Sequence, residues 1–183
     1  MNLETILTQK GPTILSKWLK RLLETYPSDA QRFLKKQKDH FANPVGTTLK
    51  TEGENLYKEV VGGMDPERLS LFLDRMIRIR AVQDFTPSQA ISFVFFLKVI
   101  MREEIGKEVR EHRLLDEWMI FESRFDELAL LAFDIYMRCR ERIYEIRANE
   151  AKNRVSRLLL KAGLTCEAPG WSREGKENDT THS

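Results

Sequence analysis

The chain has 183 residues, of which 42% are hydrophobic and 32% charged, and this is the composition of a globular protein with one core. Its 30 Lys plus Arg against 28 Asp plus Glu give a net charge of +2, so there is no global attraction to nucleic acid or to an anionic membrane. Two Cys and three His exclude a disulfide framework and a Cys/His zinc module.

The beginning of the chain has no targeting pattern. Residues 1–10 include Glu4 and only one short apolar pair, which fits neither a signal peptide nor a transit peptide. The most apolar run, at 90–101, is shorter than the roughly 20 residues that span a bilayer. We therefore expect a cytoplasmic protein without membrane insertion.

Prolines mark the predicted helix boundaries. Asn43-Pro44, Asp65-Pro66 and Thr86-Pro87 each place an N-cap side chain before a Pro at the first helical position. Gln89 follows Thr86 by three residues, which predicts a capping box. Pro12 is likewise expected at a boundary between two helices.

The apolar residues recur at helical spacing in most of the chain. The predicted helices lie at 3–9, 13–26, 28–37, 44–61, 66–82 and 87–105. The last of these is apolar nearly all round, so we expect it at the centre of the fold. No segment alternates with period two for long enough to indicate a strand. The predicted fold class is all-α, a compact helical bundle.

A long helix is predicted to follow, because neither Pro nor Gly occurs from Lys107 to Ala162. A helix from about residue 112 to 161 is roughly 75 Å long at 1.5 Å per residue. A domain of this size is only about 35–40 Å across, so the helix is expected to project from it. The predicted organisation is one helical, sensor-like domain at 1–162 and a disordered polar tail at 163–183.

An apolar seam with alternating steps of four and three residues follows this helix. Its members are Leu114, Trp118, Phe121, Phe125, Leu128, Ala132, Ile135 and Cys139. Two interpretations stay open: the seam is entirely core, or it packs on a core at one side and a partner at the other. The seam continues weakly past residue 139, so we predict a dimer or partner interface formed by Cys139, Arg142, Ile143, Ile146, Asn149 and Asn153.

The end of the long helix is basic. From residue 138 to 161, eight basic residues face three acidic ones. This stretch is interpreted as a solvated extension, as a stalk for a protein partner or dimer mate, or as a nucleic-acid helix. Nucleic acid is the least favoured, because basic-region proteins have a long zipper after the basic helix and this sequence has none.

No catalytic constellation is present in the sequence. His40, His112 and His182 are scattered and accompany no nucleophile or phosphate-binding motif. His40 and His112 lie among charges, unlike a haem ligand on a core-facing helix. We therefore predict a protein that is not an enzyme and that carries no cofactor or metal.

Asp134 is unusual because it lies between Phe133 and Ile135 in an apolar stretch. A buried carboxylate requires a cationic partner, and the helix at 66–82 offers Arg78 and Arg80. A buried ion pair of Asp134 with these arginines is the favoured interpretation, and ligand sensing and simple exposure are the alternatives.

Three segments resemble one bacterial family. They are 78–90 (RIRAVQDFTPSQA), 38–46 (KDHFANPVG) preceded by 22–27 (LLETYP), and 131–147 (LAFDIYMRCRERIYEIR). Together they resemble the N-terminal domain of the RsbT co-antagonist proteins, the RsbR-type sensor subunits of the stressosome. The resemblance covers about residues 10–160 and includes no catalytic motif.

The resemblance implies a helical, globin-like, non-haem sensor that dimerises and takes part in signal transduction in a bacterial stress response. In full-length members the last helix leads into a STAS domain that a partner kinase phosphorylates. The 183 residues leave no room for that domain, so a stand-alone module is expected, with a kinase or STAS-type protein as the candidate partner. It would relay a signal through its C-terminal helix.

A second interpretation is a small-ligand carrier or an accessory protein of anaerobic respiratory metabolism. Its ligand would occupy a pocket among Phe93, Phe95, Phe96, Trp118 and Phe121. Aromatic residues at helical spacing are more often plain core, so the sensor remains the leading prediction.

Overall fold

The computed structural model describes residues 2–36, 43–83 and 85–164. His40, Asp84, His182 and the predicted tail from residue 165 onward lie outside the described residues. The chain divides into two compact units, Met1–Ile143 and Tyr144–Ser183. The domain boundary expected near residue 162 remains a prediction.

The described residues form six α-helices and no strand, which confirms the all-α fold. The helices are α1 (Leu3–Leu23), α2 (Ser28–Lys36), α3 (Pro44–Gly62), α4 (Pro66–Ala81), α5 (Pro87–Glu111) and α6 (Leu115–Lys161). They pack as a bundle in which α1 lies against both α3 and α5, and α3 lies against α4. The long C-terminal helix is therefore confirmed, with its first residue at 115.

The predicted N-caps are confirmed at α3, α4 and α5. Asn43, Asp65 and Thr86 each accept a hydrogen bond from a backbone N–H in the first turn and precede a Pro. At α5 the capping box is complete, because the Thr86 N–H donates to Oε1 of Gln89 at 3.0 Å while Thr86 Oγ1 accepts from the Gln89 N–H. Local sequence therefore determines where these helices begin.

Pro12 does not separate two helices, and this prediction is wrong. α1 runs through it as one helix, with buried side chains on both sides of it. An interior Pro lacks the N–H that would bond to the carbonyl four residues before it. The neighbouring Gly11 lets Tyr57 approach so closely that an added Cβ would lie 3.2 Å from its ring, and Tyr57 donates to the Leu7 carbonyl at 2.8 Å. Packing on the core thus maintains the helix through the proline.

The chain reverses between α5 and α6 without Pro or Gly. α5 ends at Glu111, and Arg113 adopts the left-handed conformation with φ of 56°. The Leu114 N–H then donates to the carbonyl of Val109 at 2.9 Å, a bond typical of a helix C-terminus. The helix therefore ends at a non-glycine residue in the left-handed conformation, which the sequence does not indicate.

α5 is the central helix, as its composition predicted. Phe93, Leu97 and Met101 are completely buried on it. The Trp18 indole N–H donates to the Phe93 carbonyl at 2.7 Å and joins α1 to α5 inside the core. Phe95, by contrast, is 45% exposed.

The predicted seam of α6 is core along Trp118–Tyr136. Its large members Trp118, Phe121, Phe125, Leu128 and Ile135 are buried. Polar contacts anchor the same helix: Arg124 donates to the carbonyl of Val60 at 2.7 Å, and Lys98 pairs with Asp126 at 3.0 Å. The seam residues up to 136 are therefore buried in the core and are not available to a partner protein.

Candidate functional site

Arg80 is a completely buried charge at the end of α4. Its Nε and Nη2 donate to the carbonyls of Ala90 and Gln89, each at 2.8 Å, and its Nη1 donates to Oγ1 of Thr25 at 3.1 Å. The side chain thus ties the end of α4 to α5 and to the turn after α1. Its position is readable from sequence, because it continues the buried spacing of Leu69, Leu73 and Ile77.

Three aromatic rings surround the guanidinium. Its carbon lies 4.3 Å from the ring centroid of Phe85, 5.4 Å from that of Tyr26 and 6.0 Å from that of Phe93. No acidic residue in the described part of the chain forms a salt bridge with Arg80. Burial therefore lowers the pKa of Arg80, and carbonyl dipoles and ring faces replace a counter-ion.

A cavity of about 640 Å³ adjoins the residues that hold Arg80. Its lining consists of Thr25, Tyr26, Pro27, Ala30, Gln83, Phe85 and Gln89. Oε1 of Gln83 is buried without a hydrogen-bond partner, and the buried Tyr26 hydroxyl interacts with the Arg80 guanidinium. Burial also raises the pKa of Tyr26. Apart from Ala30, these residues lie in two of the segments that carry the family resemblance, 22–27 and 78–90.

The structure does not assemble the predicted buried ion pair. Asp134 is exposed, and Arg78 pairs with Asp74 on its own helix at 2.6 Å. Arg80 is buried, but it bonds the two backbone carbonyls and the Thr25 hydroxyl described above. The apolar neighbours of Asp134 suggested burial, but helix rotation directs Ile135 into the core and Asp134 into solvent.

The residues of the predicted interface have different environments. Cys139 and Ile143 are half-buried and line a groove of about 720 Å³ with Leu71 of α4 and Val82, the residue after α4. Burial raises the pKa of the Cys139 thiol. Arg142 is exposed at the groove. In the second unit Ile146, Asn149 and Asn153 are exposed, as is every described residue from 144 to 164.

A second apolar row runs along α6 outside the predicted seam. Leu130, Phe133 and Met137 are 69%, 42% and 38% exposed and are spaced three and four residues apart. They lie on the side of the helix away from Leu128, Ile135 and the other core residues. The second unit, taken by itself, shows the same spacing in Ala148, Ala151, Val155 and Leu158, all exposed. The spacing of three and four residues is visible in the sequence, but the core seam on the same helix has the same spacing and larger side chains.

The aromatic residues of the predicted ligand pocket do not share one cavity. Phe93 packs against Trp18, and Phe95 is exposed. The ring centroid of Phe96 lies 5.2 Å from the guanidinium carbon of Arg21. Trp118 stacks on Phe121 within the core. Helical rotation directs the three phenylalanines differently, so a carrier pocket at this place is not formed.

The described part of the chain contains neither a membrane-spanning helix nor a cluster of metal-ligating side chains. No helix there combines the length and apolar character that a bilayer span needs. No group of three or more His, Cys, Asp or Glu side chains is placed to hold a metal ion within the same residues.

Comparison with known proteins identifies a family. The model for the RsbT co-antagonist protein rsbRD N-terminal domain matches residues 12–151, most of the chain. An uncharacterized protein of Archaeoglobus fulgidus is 31% identical over 83 residues, which is 45% of this chain and 51% of that protein. The match thus spans about half the length of that relative. No solved structure matches the chain.

Proposed function

Because the chain belongs to the RsbT co-antagonist rsbRD N-terminal domain family, we propose that it is a dimeric sensor that relays a signal to a protein partner. Domains of this family are typically non-catalytic sensor modules, so a regulatory role follows from membership. The dimer, the relay through α6 and the partner are the proposed parts. A kinase or STAS-type protein is the proposed partner class.

The exposed apolar row Leu130, Phe133 and Met137 supports self-association through α6. Large apolar side chains at 3–4 spacing, without a covering element, form the type of stripe that pairs helices. Phe95 and Val99 add exposed apolar surface on the neighbouring α5. This row carries the proposal of a dimer.

The predicted interface residues are proposed as the partner face. Arg142, Ile146, Asn149 and Asn153 combine exposed charge, an apolar side chain and amides, while Cys139 and Ile143 lie in the groove beside α4. Within residues 144–161, five basic residues face two acidic ones. This charge favours an acidic protein surface as the partner.

Light scattering coupled to gel filtration tests the dimer and distinguishes the two faces. We expect a wild-type dimer at tens of micromolar, and a monomer for Leu130→Glu with Phe133→Glu. Ile120→Glu, at a position 74% exposed and outside the row, is the matched control and should remain dimeric. Circular dichroism should show unchanged helix content in all variants.

The other results would alter the proposal in definite ways. A wild-type monomer would contradict self-association. A dimer that survives the Leu130 and Phe133 changes but dissociates with Ile143→Glu and Ile146→Glu would place the dimer contact at the predicted interface residues.

A further inference from the structure

The second unit has an exposed apolar face along α6, made of Ala148, Ala151, Val155 and Leu158, which is called the docking face below. The four residues are separated by steps of three, four and three, so they lie on one side of the helix. Val155 is 55% exposed and Leu158 is 61% exposed. This spacing is that of the core positions of a coiled coil, which become buried only when a second helix packs on them.

A row of basic side chains borders the docking face on one edge. This basic row consists of Arg147, Arg154 and Lys161, which repeat every seven residues. None of the three forms an ion pair with a described carboxylate, although Glu150 has the spacing for a pair with Arg147 or Arg154. In coiled coils, the charges beside the core positions determine which helix pairs with which.

The charges at the two edges disfavour a second copy of this chain on the docking face. The opposite edge is formed by Glu145, Lys152 and Leu159. In a parallel pair, the edge of one heptad contacts the other edge of the next heptad of the partner, which would place Arg147 against Lys152 and Arg154 against Leu159. In an antiparallel pair, the basic row would face the basic row of the other copy. Like charges at these positions weaken helix pairing.

The size of the side chains points the same way. Ala148 and Ala151 occupy two successive core positions, and alanine against alanine buries little apolar area. A helix with leucine opposite these two positions would bury more apolar surface and fill the space beside the small side chains. The docking face therefore fits a helix that differs from it in both size and charge.

We propose that the docking face binds an acidic amphipathic helix of another protein. The large apolar residues of that helix would pack on the docking face, and its Asp or Glu side chains would pair with the basic row. This deepens the proposed relay by naming the chemistry of the partner, and its biological meaning rests on that function. It places the partner on the side of α6 away from Ile146, Asn149 and Asn153.

Binding is tested with a labelled synthetic peptide of four heptads, with leucine and valine at the core positions and glutamate at both flanking positions. The glutamates keep the peptide from pairing with itself. Fluorescence anisotropy with the full chain should show saturable binding that weakens as salt is added. A peptide with the same core and lysine at the flanking positions is the matched probe, and we expect it to bind at least about tenfold more weakly.

Val155→Gln with Leu158→Gln tests the apolar part of the docking face. Binding of the glutamate peptide should weaken about tenfold or more, because the two largest side chains of the face are lost. Ile146→Gln with Leu160→Gln makes the same kind of change at positions 48% and 65% exposed on the opposite side of the helix, and should bind as the wild type does. Circular dichroism should show equal helix content in both variants.

Arg154→Glu tests the basic row. Affinity for the glutamate peptide should fall about threefold, and about tenfold when Arg147→Glu is added, because attraction becomes repulsion. The double variant should also bind the lysine peptide more tightly than the wild type does. Arg157→Glu has the same change in charge as Arg154→Glu but lies farther from the docking face, so its effect should be smaller.

Several outcomes would overturn the inference. Absence of saturable binding of the glutamate peptide to the wild type is one, and equal binding of the two peptides is another. Equal losses in the Val155 and Ile146 variants would also contradict the docking face. Sedimentation with vesicles of phosphatidylcholine and phosphatidylglycerol tests a membrane surface, and vesicle binding that requires Arg147 and Arg154, without peptide binding, would replace the protein helix by lipid.

Failure of this inference is separable from failure of the proposed dimer. Leu130→Glu with Phe133→Glu should still bind the glutamate peptide, because neither residue belongs to the docking face. A wild-type dimer that binds no peptide would contradict this inference alone. A wild-type monomer that binds the peptide would contradict the dimer alone.

Discussion

Phe93 and Phe95 are two positions apart on α5, yet one is completely buried and the other is 45% exposed. A turn of about 200° around the helix axis separates them, so one side chain enters the core and the other faces solvent. Phe96, adjacent in sequence, is half-buried. The stability of the fold therefore depends on single positions within one apolar segment.

We expect Phe93→Ala to lower the free energy of unfolding by about 3–5 kcal/mol, because it leaves a cavity in the core. Thr86→Ala, which removes the α5 cap, should cost about 1 kcal/mol. Phe95→Ala is the control and should cost less than Phe93→Ala. Urea denaturation gives all three values, and a larger loss at Thr86 or Phe95 than at Phe93 would contradict the central position of α5.

We expect the protein to lose stability in alkaline solution because Tyr57 is buried. Burial raises its pKa, so the folded protein keeps the proton while an unfolded tyrosine loses it near pH 10. Stability from this group is complete below pH 10 and falls as pH rises above that value. Urea denaturation of the wild type and of Tyr57→Phe between pH 8 and 11 should show a shallower decline for the variant. Parallel declines would assign the loss to other groups, such as Tyr26.

Among the helices, α1 forms although its interior Pro12 disfavours helical structure. Pro12 lies ten residues into it and is exposed, while Ile6, Leu7, Ile14 and Trp18 of the same helix are buried. An interior Pro costs about 3 kcal/mol relative to Ala. Burial of apolar side chains on both sides of the proline compensates for this cost.

Pro12→Ala should therefore stabilise the protein by about 1–3 kcal/mol, because it restores the missing backbone hydrogen bond. Ser16→Ala, at another exposed position of α1, should change the unfolding free energy by less than about 0.5 kcal/mol. Thermal and urea unfolding provide the comparison. A destabilised Pro12→Ala would indicate that the proline bend itself is needed for packing.

At the scale of the whole molecule, self-association links stability to protein concentration. A dimer is favoured by mass action, and a hundredfold rise in concentration corresponds to about 2.7 kcal/mol. We expect the melting temperature to rise by several degrees over that range in the wild type. It should be independent of concentration in Leu130→Glu with Phe133→Glu, and a concentration-independent wild type would indicate a monomer.

The amino-acid sequence alone was enough to predict the starts of α3, α4 and α5 and the core seam of α6. Caps such as Thr86 with Gln89 act over four residues, and the seam from Trp118 to Ile135 follows from helical spacing alone, so both were predictable. The family was also readable from sequence, in motifs such as 78–90. These features are local or periodic, and therefore depend little on what packs against them.

Tertiary structure alone decided the remaining features. Pro12 continues a helix because the core holds both of its sides, and Arg113 reverses the chain although it has no turn signature. Arg80 was predicted to be buried with Asp134, but its partners are backbone carbonyls of α5, which sequence spacing does not reveal. The cavity beside Tyr26 exists only because α1, α2, α4 and α5 meet there, and long-range packing of this kind leaves no local signal.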